Sequence, residues 1–238
     1  MRSSKHYKWL AVFLLLFVPL LFVPADAVSG AQGRSLNLDF SGIPAGEGVP
    51  LPWKIRLKEG KADASIASEK GGNILHLICR ESSFSVERDV SLDIADSPHL
   101  SWTWKVVRAP VFGDVRKRRY NDQALQLLVA FENRKVISYV WDSNAPAGTI
   151  TDESLGWPLN LKIKVIVVKS GSEDMGKWIT HERNIYEDYV SLFQEEPPML
   201  RGVRIQTNTQ HTMDIAEGYM RLISFSRSSP SQSFGQVR

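Results

Sequence analysis

The chain has a single cysteine, Cys79, among its 238 residues. No intrachain disulfide can form, so the fold must rest on its apolar core, and a chain of this length buries enough surface for that. Cys79 closes the apolar run Ile74-Leu75-His76-Leu77-Ile78-Cys79. The expectation is an inert, buried thiol, with an intermolecular disulfide as the lesser alternative. Metal-ligand spacing is missing too. The histidines beyond the first 27 residues, His76, His99, His181 and His211, are scattered and have no cysteine partners, which leaves a zinc site without support. There is no Gly-x-Ser-x-Gly elbow, which argues against an α/β-hydrolase. The pair Gly71-Gly72 is too short to cradle a phosphate and runs into a strand, not a helix.

Charge of one sign is also scarce, once the chain's beginning is set apart. Arg2, Lys5 and Lys8 precede an apolar run from Trp9 to Val23, and Ala25-Asp26-Ala27 follows with small residues at the positions a signal peptidase reads. That order predicts a cleavable signal peptide over residues 1–27, leaving Val28 first. The run is shorter than the ~20 residues that span a bilayer comfortably. An uncleaved anchor helix is the alternative, and no cysteine stands near the cleavage site to carry a lipid. The whole chain has 29 Lys+Arg and 26 Asp+Glu, a net of +3. Without the leader's three bases and one acid, 26 and 25 remain, a net of +1. The basic surplus lies mostly in the leader, so a nucleic-acid surface has no support. The expected location is periplasmic or secreted, with no membrane span after cleavage.

What the rest of the chain does have is short strands at regular spacing. Candidates are residues 36–40, 54–58, 62–68, 74–80, 84–90, 99–106, 122–131, 136–141, 162–168, 178–184, 202–207 and 217–225. Gly, Pro, Asn, Asp and Ser separate them, as in Glu69-Lys70-Gly71-Gly72-Asn73. Several alternate strictly. Leu100, Trp102, Trp104 and Val106 share one face against His99, Ser101, Thr103 and Lys105. Leu125, Leu127, Val129 and Phe131 stand opposite Asp122 and Gln126. Val203 and Ile205 stand opposite Arg204 and Gln206. Period-2 alternation belongs to half-buried antiparallel strands. One helix is expected after Asn184 as cap, with Ile185, Tyr189, Leu192 and Phe193 at helical spacing before Pro197-Pro198. The fold class is therefore all-β: an antiparallel jelly-roll-type β-sandwich with one short helix, over residues 28–225 as a single domain. Residues 226–238 are Ser-rich and polar and read as a disordered tail.

Several of these segments together resemble a known family. They are Leu100-Ser101-Trp102-Thr103-Trp104-Lys105-Val106, Asn121-Asp122-Gln123-Ala124, Ser138-Tyr139-Val140-Trp141-Asp142, Val167-Val168-Lys169-Ser170-Gly171 and Glu182-Arg183-Asn184-Ile185-Tyr186-Glu187-Asp188-Tyr189, leading to Phe193 and Glu196-Pro197-Pro198. The chain resembles the bacterial domain-of-unknown-function family 3047 from about Leu36 to Phe225. The resemblance implies a sandwich similar to those of carbohydrate-binding modules, and it implies no activity.

Candidate site residues follow from the strand ends. Trp102 and Trp104 share a face with Leu100 and Val106 and read as core. Trp141 ends a strand beside Asp142 and opens a Pro/Gly loop, so it is the expected ligand platform, with Trp157 as a second. Asp122 and Gln126 on one wet face, extended by Arg204 and Gln206, would read hydroxyl groups. Arg116-Lys117-Arg118-Arg119 is either a solvated hairpin tip, the favoured reading, or a mobile basic lid over Asp122 and Gln126 that suits an acidic glycan. Asp39, Asp214 and Glu217, near the first and last strands, are the oxygen ligands a structural calcium would use; otherwise no cofactor is expected. The expected function is a non-catalytic binding module for a glycan or other polyhydroxylated ligand. One rival is a polysaccharide hydrolase or lyase using strand-end acids such as Asp122, Asp142 and Glu217. The other is a structural envelope protein that binds a protein partner. Intact-mass measurement of the protein recovered from an exporting cell is expected to give a chain that starts at Val28; a mass including residues 1–27 would reject cleavage there.

Overall fold

The computed structural model describes residues 35–156 and 158–229. The expected leader, Trp157 and residues 230–238 of the expected tail lie outside the described residues, while Ser226 belongs to the last strand instead of the tail. In chain order the elements are β1 (Leu36–Asp39), β2 (Gly46–Glu47), β3 (Lys54–Glu59), β4 (Asp63–Glu69), β5 (Gly72–Arg80), β6 (Ser83–Leu92) and β7 (His99–Arg108). A short 3-10 turn at Arg118–Tyr120 precedes β8 (Leu125–Phe131), β9 (Lys135–Asp142), β10 (Ile150–Asp152), β11 (Lys162–Ser170) and β12 (Ile179–Asn184). The helix α1 (Ile185–Phe193), β13 (Leu200–Asn208) and β14 (Ile215–Ser226) complete the series.

These strands form two sheets, as the alternation predicts. Sheet one runs β12-β7-β14-β5-β4-β2, with β1 pairing the second half of β14. Sheet two runs β10-β11-β9-β8-β13-β6-β3. The all-β, jelly-roll-type sandwich with one helix is thus the observed architecture. One pairing departs from the antiparallel expectation: β11 lies parallel to β9, with Val165 beside Ser138. A parallel pair needs a long crossover, which residues 143–161 supply, and it needs cover on both faces. Every residue of β9 is buried accordingly.

The inner faces meet over a core built on aromatic rings. From sheet one come Trp102 and Trp104, both fully buried as the alternation predicts; from sheet two come Tyr139 and Trp141. Trp102 packs on Tyr139 with centroids 5.1 Å apart, and Trp104 on Trp141 at 6.3 Å. Such pairs add about 0.5–1.5 kcal/mol each beyond area burial. Gly218 of β14 sits where sheet two comes closest: a Cβ there would lie 2.7 Å from Leu125 Cδ1. Cys79 is buried in this core, as expected. Its Sγ donates to the Ser82 carbonyl at 3.1 Å, and burial pushes the thiol pKa up.

The helix starts where the capping signal places it, since the Asn184 side chain accepts from Glu187 N at 3.2 Å. It ends in a left-handed Gln194, whose backbone N–H donates to the Val190 carbonyl. Tyr189 packs against Phe131 at 4.6 Å and Tyr139 Oη donates to Asp188 at 2.8 Å, so the helix closes one end of the sandwich.

His181, on the edge strand β12, turns inward. Its ring stacks on Trp102 at 5.1 Å and meets the Trp104 edge at 5.5 Å, while Nε2 is buried without a partner among the described residues. Burial first, then the charges of Lys169 and Arg183, lower its pKa from the ordinary 6.5 to about 4. The unfolded chain therefore takes up a proton between these values that the folded chain refuses. The contribution of His181 to stability is full above pH 6.5 and falls toward pH 4 with a slope approaching about 1.4 kcal/mol per pH unit. Chemical unfolding across this range should show that loss, and His181→Phe should flatten it; identical pH profiles for the two proteins would contradict the assignment.

Candidate functional site

Sheet two is amphipathic on its outer face as well. Leu128, Val136, Val140, Ile163, Val165 and Val167 point away from the main core and form a second apolar cluster with Val115, Ala145 and Leu161. Loops that fold back over the sheet supply these covering residues. Beyond the covered part, the same face turns polar. Gln126 of β8 lies opposite Gln206 of β13, and Ser138 of β9 lies opposite Leu128. These four, with Ile163, form the floor of a cavity of about 410 Å³. Its walls are Val115, Arg116, Arg118 and Asn121 from the loop after β7, Thr151 to Leu155 around β10, and Lys58 of β3.

The floor is held by a network of side-chain amides. Gln126 Nε2 donates to Asn208 Oδ1 at 2.7 Å and to Gln123 Oε1 at 2.9 Å, while Ser138 Oγ donates to Gln126 Oε1 at 3.3 Å. Gln123 Nε2 donates to Asn121 Oδ1 at 2.7 Å, and Asn121 Nδ2 to Glu153 Oε1 at 2.8 Å. Each amide carries both donor and acceptor, so the chain of bonds fixes which atom of each faces the cavity. Burial pushes the Glu153 carboxyl above its usual range, offset in part by the Asn121 bond and the Lys58 charge. Lys58 keeps much of its side chain accessible, yet loss of hydration between the walls lowers its ammonium pKa, opposed by Glu59, Glu153 and Asp122. The Thr151 hydroxyl is buried in the wall with no partner among the described residues.

Two buried carboxylates hold the walls. Asp122 is fully buried. Its Oδ2 accepts from His211 N (2.9 Å), Thr212 N (2.6 Å) and Thr212 Oγ1 (2.7 Å), and its Oδ1 from Asn208 Nδ2 (2.9 Å). Asp142 is fully buried as well, and accepts from Val115 N (2.9 Å), Asn144 N (2.8 Å) and Ala145 N (2.6 Å). Burial raises its pKa against these backbone bonds. The first half of the basic run is anchored: Asp114, buried beneath it, binds Arg116 at 2.8 Å and Lys117 at 3.0 Å. Those bonds hold its carboxyl well below the usual range.

Of the residues singled out by sequence, Gln126 and Gln206 line the cavity. Arg204 lies on the same face next to it, with its Nη2 and Nε donating to Glu87 Oε2 at 2.8 and 3.1 Å. Asp122 and Asp142 are corrected from ligand-facing acids to internal struts. Trp141 is corrected from a ligand platform to a core residue: it faces the other sheet, is 0% exposed, and its indole N–H donates to the Gly171 carbonyl at 3.0 Å. The described lining holds no aromatic ring. The three acids suggested for calcium do not converge. Asp39 pairs opposite Leu222 while Glu217 lies five residues away on the same strand, about 17 Å at strand rise. Asp214 accepts from Val111 N, and Glu217 bonds His76 at 2.9 Å. No group of three or more His, Cys, Asp or Glu among the described residues is placed to hold a metal ion. Asn121, Glu153 and Lys58 were not anticipated as site residues; the polar Asn121-Asp122-Gln123 run before an apolar strand was the one signal for the first of them.

A two-sheet sandwich with a polar cavity on the outside of one sheet, walled by its own loops, is the class this geometry defines. Residues 52–224 match the family model described as "Protein of unknown function (DUF3047)", and the chain belongs to that family. No curated protein matches it. Among solved structures, it is similar to the family 11 carbohydrate-binding module of the cellulosomal cellulase Lic26A-Cel5E of Clostridium thermocellum, with 13% identity over 81% of this chain and 95% of that one and a TM-score of 0.41. It is also similar to the xyloglucanase domain of NopAA from Sinorhizobium fredii in complex with cellobiose, at 10%, 80%, 98% and 0.46. The K1 cleaved adhesin domain of Lys-gingipain from Porphyromonas gingivalis W83 gives 9%, 83%, 100% and 0.40.

Replacing Asp122 with Ala should strip four donors of their acceptor and cost on the order of 3 kcal/mol of stability. Thermal unfolding measures this, and an unchanged melting temperature would contradict the strut role.

Proposed function

We propose that the protein is an exported, non-catalytic binding module that takes a polyhydroxylated ligand, a glycan of the cell envelope or its surroundings, in the cavity on the outer face of sheet two. The observation that carries this reading is the Gln126–Gln206 pair at the floor, with Ser138, Asn121 and Thr151 around it. Vicinal hydroxyl groups both donate and accept, and amide side chains locked in one orientation can match them. Leu128, Val115, Leu155 and Ile163 supply the apolar area against which ring C–H groups can pack. The leader read from the sequence supports a periplasmic or secreted setting.

A two-carboxylate hydrolase has less support. It needs two acids flanking one bond. Asp122 and Asp142 are internal; of the two acids in the cavity wall, Asp152 is committed to Lys164 at 2.8 Å and to Ser154 N, which leaves Glu153, bonded by Asn121, as a single acid without a second to work with.

Glycan-array screening of the mature protein, followed by calorimetric titration of the best ligand, tests the proposal. Gln206→Ala, a half-buried position, should weaken binding about tenfold, the loss of one or two hydrogen bonds to the ligand, and Gln126→Ala by a similar factor through loss of the amide network that orders the floor, with thermal unfolding as the check on folding. Absence of binding to neutral and acidic glycans alike, or unchanged affinity in both variants, sinks the reading. Release of shortened products from the bound glycan refutes the non-catalytic part.

A further inference from the structure

Three large apolar side chains stand in water at one corner of the molecule: Val111 is 67% exposed, Phe112 65% and Met213 60%. Val111 and Phe112 form the apex of the turn that follows β7, and Met213 the apex of the neighbouring turn before β14. The two turns are joined, because Asp214 Oδ2 accepts from Val111 N at 2.9 Å and Oδ1 from Arg108 at 3.4 Å.

The display is tied back to the body of the protein. Asn144 Nδ2 donates to the carbonyls of both Val111 (3.0 Å) and Gly113 (2.8 Å), and Gly113 N donates to the Pro110 carbonyl at 3.1 Å. At Gly113 the loop comes so close to the β8 approach that a Cβ would lie 2.4 Å from the Asp122 carbonyl oxygen. The apex therefore cannot fold inward, and its backbone groups are satisfied while its apolar side chains are not. Exposed side chains held this way mark an interaction site.

The surroundings are cationic. Residues 107–120 contain Arg108, Arg116, Lys117, Arg118 and Arg119 against the single acid Asp114. Counting Asp214 from the adjoining turn leaves a surplus of three, more than the net +1 of residues 28–238. Buried Asp114 holds Arg116 and Lys117 in place. The Arg119 guanidinium lies over the Tyr120 ring at 5.6 Å, and that ring is 6.2 Å from Phe112.

We infer that this tip docks on an anionic lipid surface, Val111, Phe112 and Met213 entering the interface and the arginine and lysine collar meeting the headgroups. An apolar apex with a basic collar behind it matches the depth profile of a bilayer: acyl chains first, then anionic headgroups. A protein partner fits less well, since a stable face needs roughly 800 Å² per partner and three side chains on two convex turns do not supply it. Arg116 and Arg118 also line the cavity, so a docked tip holds the cavity mouth close to that surface. The inference stands apart from what the cavity binds.

Co-sedimentation of the mature protein with vesicles tests it, one set of phosphatidylcholine alone and one of phosphatidylcholine mixed with phosphatidylglycerol. The protein should pellet with the mixed vesicles, remain in solution with the neutral ones, and be released by high salt. The double variant Val111→Ser, Phe112→Ser should partition about tenfold more weakly, and Arg119→Glu several-fold more weakly. All three positions are exposed, so thermal unfolding should not change. Protein left in solution with both vesicle types, as a tip built for a protein partner would give, overturns the inference. Equal pelleting with both compositions, or variants that pellet like the parent, also overturns it.

Discussion

The outer apolar row of sheet two, from Leu128 across Val140 to Val167, must be shielded from water, and much of the molecule near the cavity follows from that one requirement. A sheet with one solvated face would need no roof. Here β9 runs parallel to β11 and is buried on both faces, and β11 turns Ile163, Val165 and Val167 outward, so the segment between them, residues 143–161, returns across the sheet, and the loop after β7 closes from the other side. The roof stops where the outward residues change from Leu and Val to Gln and Ser. The cavity is the part of the sheet that the roof leaves open.

Loops that serve as walls need internal support, and buried carboxylates provide it. Asp142 ties the turn after β9 to the loop after β7, and Asp122 ties the start of β8 to the turn after β13. Each accepts several N–H groups that a buried loop would otherwise leave unpaired, so the desolvation of one charge is set against several satisfied donors. Lys58 and Glu153 differ from these struts: they stand in the cavity walls, with pKa values moved toward neutrality by loss of hydration. A polar ligand that replaces the lost water would meet side chains poorly hydrated beforehand.

Much of the sandwich was legible because most strands bury one face only. Trp102 and Trp104 could be assigned to the core from Leu100 and Val106 alone, and Asn184 announced the helix. Trp141 could not be assigned this way. Val136-Ile137-Ser138-Tyr139-Val140-Trp141 is apolar on both faces, so neither face is distinguished locally, and position at a strand end suggested exposure. The informative residue was Ser138, the one small hydroxyl in that run, which marks the cavity side. Gln126 and Gln206 were readable for the same reason, as polar residues alternating with core positions. Lys58 and Glu153 enter the site from strands and loops far apart in the chain, and no local pattern joins them. Asp122 and Asp142 were noticed for their position at strand ends; that such acids would turn inward to backbone N–H groups depends on loop paths that alternation does not describe.

Cys79 gives the protein a practical property. It is the only thiol in the chain, sealed between the sheets, hydrogen-bonded to Ser82, and with its ionisation suppressed by burial. The native molecule is thus silent toward thiol reagents. A cysteine placed anywhere on its surface becomes a unique chemical address, so a single fluorophore or spin label can report on the cavity mouth or the apolar tip with no background from the parent protein.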